Sequence, residues 1–320
     1  MIELYSYNKK LVKKGIITKQ LLRLLLRSKK TCWIDLIGYS QNEIDLLQKE
    51  IPIHHLIVED IVSGSVRPKV ESFKNHDFIV FYGINMDSQQ IVSLPQLNFV
   101  IGQNFLITFH KQKIASFEAL KKDTLLLSHL LQKGSDLLFH KLIDMEVDNY
   151  FPIFDAIEQE IDILQDSILE DPKPEKLQKL FYFKKQITHV RRVINPEREM
   201  ILSLSKPHIK YIRSELDLYF RDVQEHLLHI GDRIDTDRDI LTTMIDLHIS
   251  VTNNKLNEIM KLLTVFATTM IPLTVIGSIY GMNFRYMPEL EWKYGYLGVW
   301  IVMFLVVVII LSLFRRKKWI

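Results

Sequence analysis

Cysteine is nearly absent: Cys32 is the only one in 320 residues. No intramolecular disulfide can form, which suits a reducing compartment. Proline is missing from positions 208–271, and Gly231 is the sole glycine there. That stretch therefore predicts one helix of roughly 95 Å at about 1.5 Å per residue, too long for the core of a small globule. Two apolar runs, 262–280 and 294–314, carry no charge. Residues 142–172 hold ten carboxylates and no lysine or arginine. No Walker A motif, Gly-rich phosphate loop or nucleophile elbow occurs, so neither ATP use nor hydrolase chemistry is expected, and the chain is not read as an enzyme. A basic body is lacking too. The net charge is +3, but Arg315, Arg316, Lys317 and Lys318 at the tail supply +4. The rest is near −1, which argues against a nucleic-acid partner. The early apolar stretch 21–26 is interrupted by Arg23 and followed by Arg27, Lys29 and Lys30. It is not read as a signal peptide.

What is present begins with the two uncharged runs. Each is long enough to cross a bilayer, which takes about 20 apolar residues. Residues 281–293 between them make a short outer loop. The basic tail abuts the second run, and Lys255 and Lys261 flank the first, against Arg285 and Lys293 in the loop. The positive-inside bias puts the tail in the cytoplasm, and two spans put the N-terminal part there as well. Trp292, Tyr294 and Tyr296 on one side and Trp319 on the other read as interfacial anchors. A multi-pass cell-membrane protein with both termini cytoplasmic is the expectation.

The fold class expected is an α+β membrane protein. Residues 1–133 read as a cytoplasmic α/β domain, 134–207 as a helical hairpin, and 208–280 as a stalk helix running into the first span. The outer loop is 281–293, the second span 294–314, and the tail 315–320. Strand-like runs sit at 31–36, 78–82, 97–101 and 105–109, with Gly102-Gln103-Asn104 as a hairpin signal. Helical patterns cover 41–50 and 114–132. Ser135 and Asp136 are candidate caps for the next helix, and Pro152 predicts a kink or break. The acidic 142–172 is followed by 173–198, where eight lysines and arginines face only Glu175 and Glu197. The proline-rich turn at 171–174 favours an antiparallel hairpin with the charges facing. The plainer alternative is two solvated faces, since a surface pair is worth about 0–1 kcal/mol. The acidic arm is also suited to collecting divalent cations.

Within the first span Asn257, Met260, Leu263, Ala267, Ile271, Thr274, Ser278 and Gly281 recur at spacings of three and four, so they share a helix face. This seam holds no carboxylate. Several copies around an axis could line a pore with it, which would require a homo-oligomer. Ordinary helix packing, with Ser and Thr bonding the backbone, explains the pattern equally well.

Tyr280-Gly281-Met282-Asn283-Phe284, with Met287-Pro288-Glu289-Leu290 after it, resembles the YGMNF signature and outer loop of the CorA family of magnesium transport proteins. Arg67-Pro68-Lys69-Val70-Glu71 and Tyr219-Phe220-Arg221-Asp222-Val223 also look like family sequence. The resemblance implies a homopentameric funnel conducting Mg2+, often with Co2+ and Ni2+, and sensing internal Mg2+. It implies an entrance filter at Gly281, Met282 and Asn283 and pore-lining roles for Asn257, Met260, Leu263, Ile271 and Thr274. The family often has Met where this chain has Ile271. It further implies regulatory Mg2+ positions at Asp222, Asp87 and Asp246, the local sequence around Asp87 having drifted. The chemistry is compatible: Mg2+ sheds water reluctantly and prefers oxygen ligands, and conduction needs weak binding, which amides supply better than carboxylates. Without the resemblance Asn283 would read as a turn residue after Gly281. Glu289 would attract cations to the mouth, with Arg285 and Lys293 offsetting it.

Two other readings compete. Zinc-transporting relatives share the architecture but usually differ at the middle filter position, so Met282 favours Mg2+. The adjacent His54-His55 rings need not share a face, and His226 and His229 are helix-surface neighbours without a third ligand in view. A two-span sensor would typically carry a ligand domain outside, where this chain has only a short loop.

Overall fold

The computed structural model describes residues 2–6, 30–51, 53–64, 66–88, 90–207, 209–285 and 287–319. The stretch 21–26, His208 at the predicted start of the stalk, and the Glu289 side chain lie outside the described residues. The chain divides into two compact units: Met1–Ile168 with Lys173–Met244, and Leu169–Pro172 with Ile245–Ile320.

The first unit is built on a six-stranded mixed sheet ordered β1-β2-β8-β7-β4-β3. Its strands are β1 (Ile2–Ser6), β2 (Cys32–Ile37), β3 (Lys69–Ser72), β4 (Asp77–Tyr82), β7 (Gln96–Gly102) and β8 (Phe105–His110). Among the described residues only β2 and β8 pair in parallel; the other pairs of this sheet are antiparallel. The predicted hairpin forms, with Gly102 opposite Phe105 across Gln103-Asn104. A small ribbon, β5 (Asn85–Met86) with β6 (Val92–Ser93), follows β4.

Alternation along the strands feeds two apolar layers, because successive side chains point to opposite faces. Cys32, Ile34, Val80, Val100, Ile107 and Phe109 pack with α1 (Gln41–Gln48) and α2 (His55–Ser63) through Ile44, Leu47, Ile57 and Ile61. Trp33 and Phe99 on the other face meet Phe117 of α3 (Ala115–Lys122), and Phe99 meets Phe139 of α5 (Ser135–Asp148). Cys32 is fully buried, and burial pushes its thiol up to about 12.

Two local expectations are corrected, and a third, the break at Pro152, is met. The helix over 114–132 is two helices, α3 and α4 (Thr124–Lys133), because the Asp123 carboxylate caps α4 at the Leu126 N–H. The residue capping α5 is Gly134. Ser135 instead donates to the Gly102 carbonyl, and Asp136 pairs with Arg213 at 2.6 Å. The break near Pro152 falls at Asn149, before α6 (Tyr150–Glu170). Proline has no N–H for the carbonyl of Asp148 four residues earlier.

Helix α6 and α7 (Pro174–Leu204) run antiparallel, with Lys179 on Glu160 at 2.8 Å and the Lys176 ammonium on the Ser167 carbonyl. The acidic arm also has a partner the charge pattern did not point to. Arg233, on α8 (Asp217–Tyr280), binds Glu158 through both oxygens at 2.7 Å and Asp155 at 2.5 Å. The predicted stalk helix thus begins later, at Asp217. Residues 209–213 stay irregular because carboxylates take their backbone groups: Asp77 accepts from the Lys210 and Tyr211 N–H, and Asp136 from that of Arg213.

One turn after Arg233, Asp237 is 3% exposed, and its Oδ2 has no hydrogen-bond partner among the described residues. Burial, and then Glu158 and Asp162, push its carboxyl up to about 7 against the pull of Arg233. The folded state therefore holds this proton more tightly than the unfolded chain does. Packing is strongest below the ordinary carboxyl pKa, about 4, and weakens as pH rises toward about 7. Amides of α6 and of residues 217–244 are expected to exchange faster at pH 8 than at pH 6 after correction for intrinsic rates. Asp237→Asn should remove the difference; a difference that survives would assign the effect to another group.

In the second unit, α8 continues from Ile245 to Tyr280, and α9 covers Gly295–Arg316. Both are long and apolar enough to cross a membrane, and their apolar windows are exposed. Pro272 lies inside α8 without ending it, as transmembrane helices tolerate.

Candidate functional site

The apolar part of α8 has two sides. Val265, Thr269, Pro272, Leu273 and Ile276 are half-buried, and Val299, Met303, Val306, Val307, Ile310 and Phe314 form a half-buried stripe on α9. The Met303 methyl lies 3.9 Å from where a Cβ on Gly277 would stand, so the helices pack closely there. At about 100° per residue, the predicted seam falls on the opposite side of α8. Asn257, Met260, Leu263, Ile271, Thr274 and Ser278 are exposed along it, and Ala267 is half-buried. The structure thus brings the seam together on one face, turned away from the second helix. The Thr274 hydroxyl donates to the Met270 and Ile271 carbonyls at 3.1 and 2.8 Å. Its proton is committed to the backbone, leaving oxygen lone pairs to accept from water.

Gly281-Met282-Asn283 is where α8 ends. The Gly281 N–H reaches the Gly277 and Ser278 carbonyls at 3.0 and 3.2 Å, and the Met282 N–H reaches Ile279 at 3.2 Å, so the last turn tightens. A Cβ at Gly281 would stand 3.2 Å from the Gly277 carbonyl, a tight approach that a side chain there would have to relieve. Met282 and Asn283 are exposed at the helix end. A short 3-10 turn at Pro288–Leu290 and the Trp292–Tyr294 ring contact lead into α9.

The three acidic positions stand on separate parts of the chain. Asp87 is exposed at the tip of the β5–β6 ribbon, where its Oδ1 accepts from the Ile91 N–H at 2.8 Å. Asp222 is exposed on the first turns of α8, near Asp144 and Asp148. Burial, Asp144 and to a lesser extent Asp222 push the Asp148 carboxyl up, with His226 and Lys141 opposing. Asp246 is exposed eleven residues before Asn257, about three turns, so it shares the seam's side of the helix. Carboxylate oxygens are the ligand type Mg2+ prefers, and Asp144 already holds the Lys141 ammonium at 2.6 Å.

Sequence reasoning missed the groups that hold the ribbon. Glu197 of α7 and Glu146 of α5 accept from the N–H of Tyr82 and Ile84, at 2.7 and 3.3 Å, where the chain leaves β4 for the ribbon. Tyr150 donates to Glu197 at 3.1 Å. A Cβ on Gly83 would stand 2.3 Å from Glu146 Oε1, so only glycine allows this approach. Gln186 of α7 grips the ribbon itself, accepting from the Val92 N–H at 2.7 Å and donating to the Gln90 carbonyl at 3.2 Å. Burial pushes the Glu197 carboxyl well above its usual range. The available signal was spacing: Glu197 stands three residues after Ile194 and four before Ile201, on the apolar face of α7.

Other metal-ligand groupings have simpler roles. Glu3, Asp35 and Glu118 converge, but the Lys121 ammonium occupies the cluster at 3.0, 2.6 and 2.5 Å from them. The His54 and His55 rings do lie together, 4.4 Å apart, and His54 also stacks on Phe73. His226 and His229 both lean on Phe151.

A family model for the CorA-like Mg2+ transporter protein matches residues 28–316. The chain belongs to the CorA-like Mg2+ transporter family. Among CorA relatives, the cobalt/magnesium transport protein CorA of Thermotoga maritima is 37% identical over 290 residues, covering 90% of this chain and 83% of its own. The protein of the same name from Methanocaldococcus jannaschii is 29% identical over 295 residues, covering 90% and 91%. The complete structure of the CorA magnesium transporter from M. jannaschii superposes with a TM-score of 0.85 at 25% identity, covering 100% of this chain and 99% of that one. Full-length CmaX, at 12% identity and a TM-score of 0.77, shares the fold. CorA membership accounts for the order of elements seen here: a soluble α/β unit, long helices and two candidate C-terminal spans.

Proposed function

We propose that this chain is a divalent-cation channel of the cell membrane that admits Mg2+, with Co2+ and Ni2+ as further cargo. It works as a homopentamer with both termini in the cytoplasm. The observation that carries this reading is the exposed seam on α8, turned away from α9 and ending at Gly281-Met282-Asn283. A helix with its partner on one side and an exposed line of small, apolar and weakly polar groups on the other is fitted to surround an axis with its copies. Gly281, Met282 and Asn283 then form the entrance. Asn257, Met260, Leu263, Ala267, Ile271, Thr274 and Ser278 line the path.

Five Asn283 amides can accept hydrogen bonds from the water around Mg2+ without stripping it. Thr274, its own proton spent on the backbone, is likewise an acceptor. Met260, Leu263 and Ile271 offer no polar group, and an apolar constriction of this kind closes by dewetting. For regulation, Asp87 and Asp222 from neighbouring subunits would hold a Mg2+, with Asp246 nearer the membrane. A dication there offsets their repulsion. When internal Mg2+ falls, the bare carboxylates push the subunits apart, and α8 carries that motion toward the seam without an intervening loop.

Purified protein in liposomes, loaded with varied internal Mg2+ and given no ATP, tests the reading. Mg2+ and Co2+ uptake is expected, and internal Mg2+ should suppress it. No uptake of either ion under an inward gradient would sink the proposal.

A further inference from the structure

We propose that the crevice between α8 and the end of α9 holds an anionic phospholipid, with its phosphate on Lys261 and Lys318 and an acyl chain against Leu262, Phe266 and Leu311. This rests on the reading of α8 and α9 as membrane spans with the basic tail in the cytoplasm. The crevice has a volume of about 970 Å3, at the upper end for ligand sites. Its walls are mostly apolar, and its charged groups are Lys261, Lys318 and Glu258. Lys261 stands at the start of the apolar run of α8, and Lys318 just after α9. In the spanning reading both therefore lie at the same interface, where lysines extend toward lipid phosphates.

The end of α9 is built in an uncommon way. Lys318 N–H bonds the Arg315 carbonyl at 3.1 Å, and Trp319 N–H bonds that of Phe314 at 3.0 Å. This is a Schellman turn, whose left-handed position normally takes glycine. Here that position is Lys318, at φ 56°. The turn folds Trp319 back onto Phe314, ring centroids 5.5 Å apart, and Trp319 also lines the crevice. A helix that only had to stop would be better served by glycine. A cation held in a disfavoured backbone conformation beside an apolar crevice points to something that binds it.

Charge complementarity selects the occupant. Glu258, one turn before Lys261, offsets one cation, while Arg315, Arg316 and Lys317 precede Lys318 at the same helix end and keep the region positive. A zwitterionic lipid would give the lysines no advantage. A soluble anion would have no use for the apolar wall. An anionic phospholipid uses both, and basic crevices between spans on the cytoplasmic side are suited to such headgroups.

The test uses the full-length protein in nanodiscs of phosphatidylcholine with a minor fraction of phosphatidylglycerol. Lipid retained after mild detergent extraction is counted by native mass spectrometry. The wild type should retain phosphatidylglycerol preferentially. Lys261→Gln and Lys318→Gly should each cut that preference about fivefold, from the usual contribution of one lysine near an anionic surface. Lys318→Gly removes the cation while favouring the turn, so a loss cannot be blamed on an unwound helix end. Equal retention in wild type and variants, no preference over phosphatidylcholine, or displacement of the lipid by millimolar inorganic phosphate would overturn the proposal. So would an efficient disulfide between Phe266→Cys copies, which would show that a second copy fills the crevice. Vesicle flotation separates the two readings. A chain that floats without lipid preference refutes only the lipid site, whereas a chain that does not float refutes the spans.

Discussion

Asn283→Ala is expected to reduce Mg2+ uptake into proteoliposomes to background while leaving insertion and oligomer size unchanged. Asn283 is exposed just past the end of α8, and the turn before it is made by backbone bonds of Gly281 and Met282. Removing its side chain therefore takes away an amide without removing a structural bond of that turn. A single hydrogen bond is worth about 0.5–1.5 kcal/mol net, so losing one per subunit in a ring of five should lower entry by more than about tenfold. Size-exclusion chromatography and a flux assay on the same preparation check both halves. Normal uptake by the variant would remove Asn283 from the filter.

The double substitution Asp87→Asn with Asp222→Asn should raise the internal Mg2+ needed for half-inhibition about tenfold, within the roughly 5–150-fold range usual for coupled sites. The unliganded state should change in the opposite sense. With the charges gone, subunits no longer repel at low internal Mg2+, and maximal uptake should not exceed that of the wild type. Asp232→Asn, an exposed acid on the same helix, should leave inhibition where it was. An unchanged inhibition curve in the double variant would remove both residues from the sensor. A shift of similar size from Asp232→Asn would reduce the effect to general surface charge.

Much of the second unit was legible in the sequence because its signals are long and uninterrupted. The absence of charge marks two helices, the absence of proline and glycine marks one of them as very long, and a spacing of three and four gathers the seam. All are local statements about period and composition. In the first unit four of the six sheet strands were legible for the same reason, since runs such as Phe105 to Phe109 are apolar and Gly102-Gln103-Asn104 turns, while β1, β3 and the β5–β6 ribbon were not read. What stayed hidden depends on partners distant in sequence. Arg233 takes the acids of α6 across 75 and 78 residues. Asp77 satisfies the backbone at Lys210 and Tyr211 across more than 130 and keeps α8 from starting earlier. Glu197 reads as one acid in a basic run until Tyr82 is placed beside it. Charge counting pairs neighbouring stretches; it does not show which helix lies on which.

The buried cysteine has a practical consequence. Cys32 has no exposed surface, and its thiol is far from ionising at neutral pH, so a reagent that requires thiolate has nothing to attack in the native chain. Spectroscopic probes can therefore be attached at a cysteine placed on Asn257, Asp246 or the β5–β6 ribbon without first deleting the natural one. The molecule offers each label a silent background.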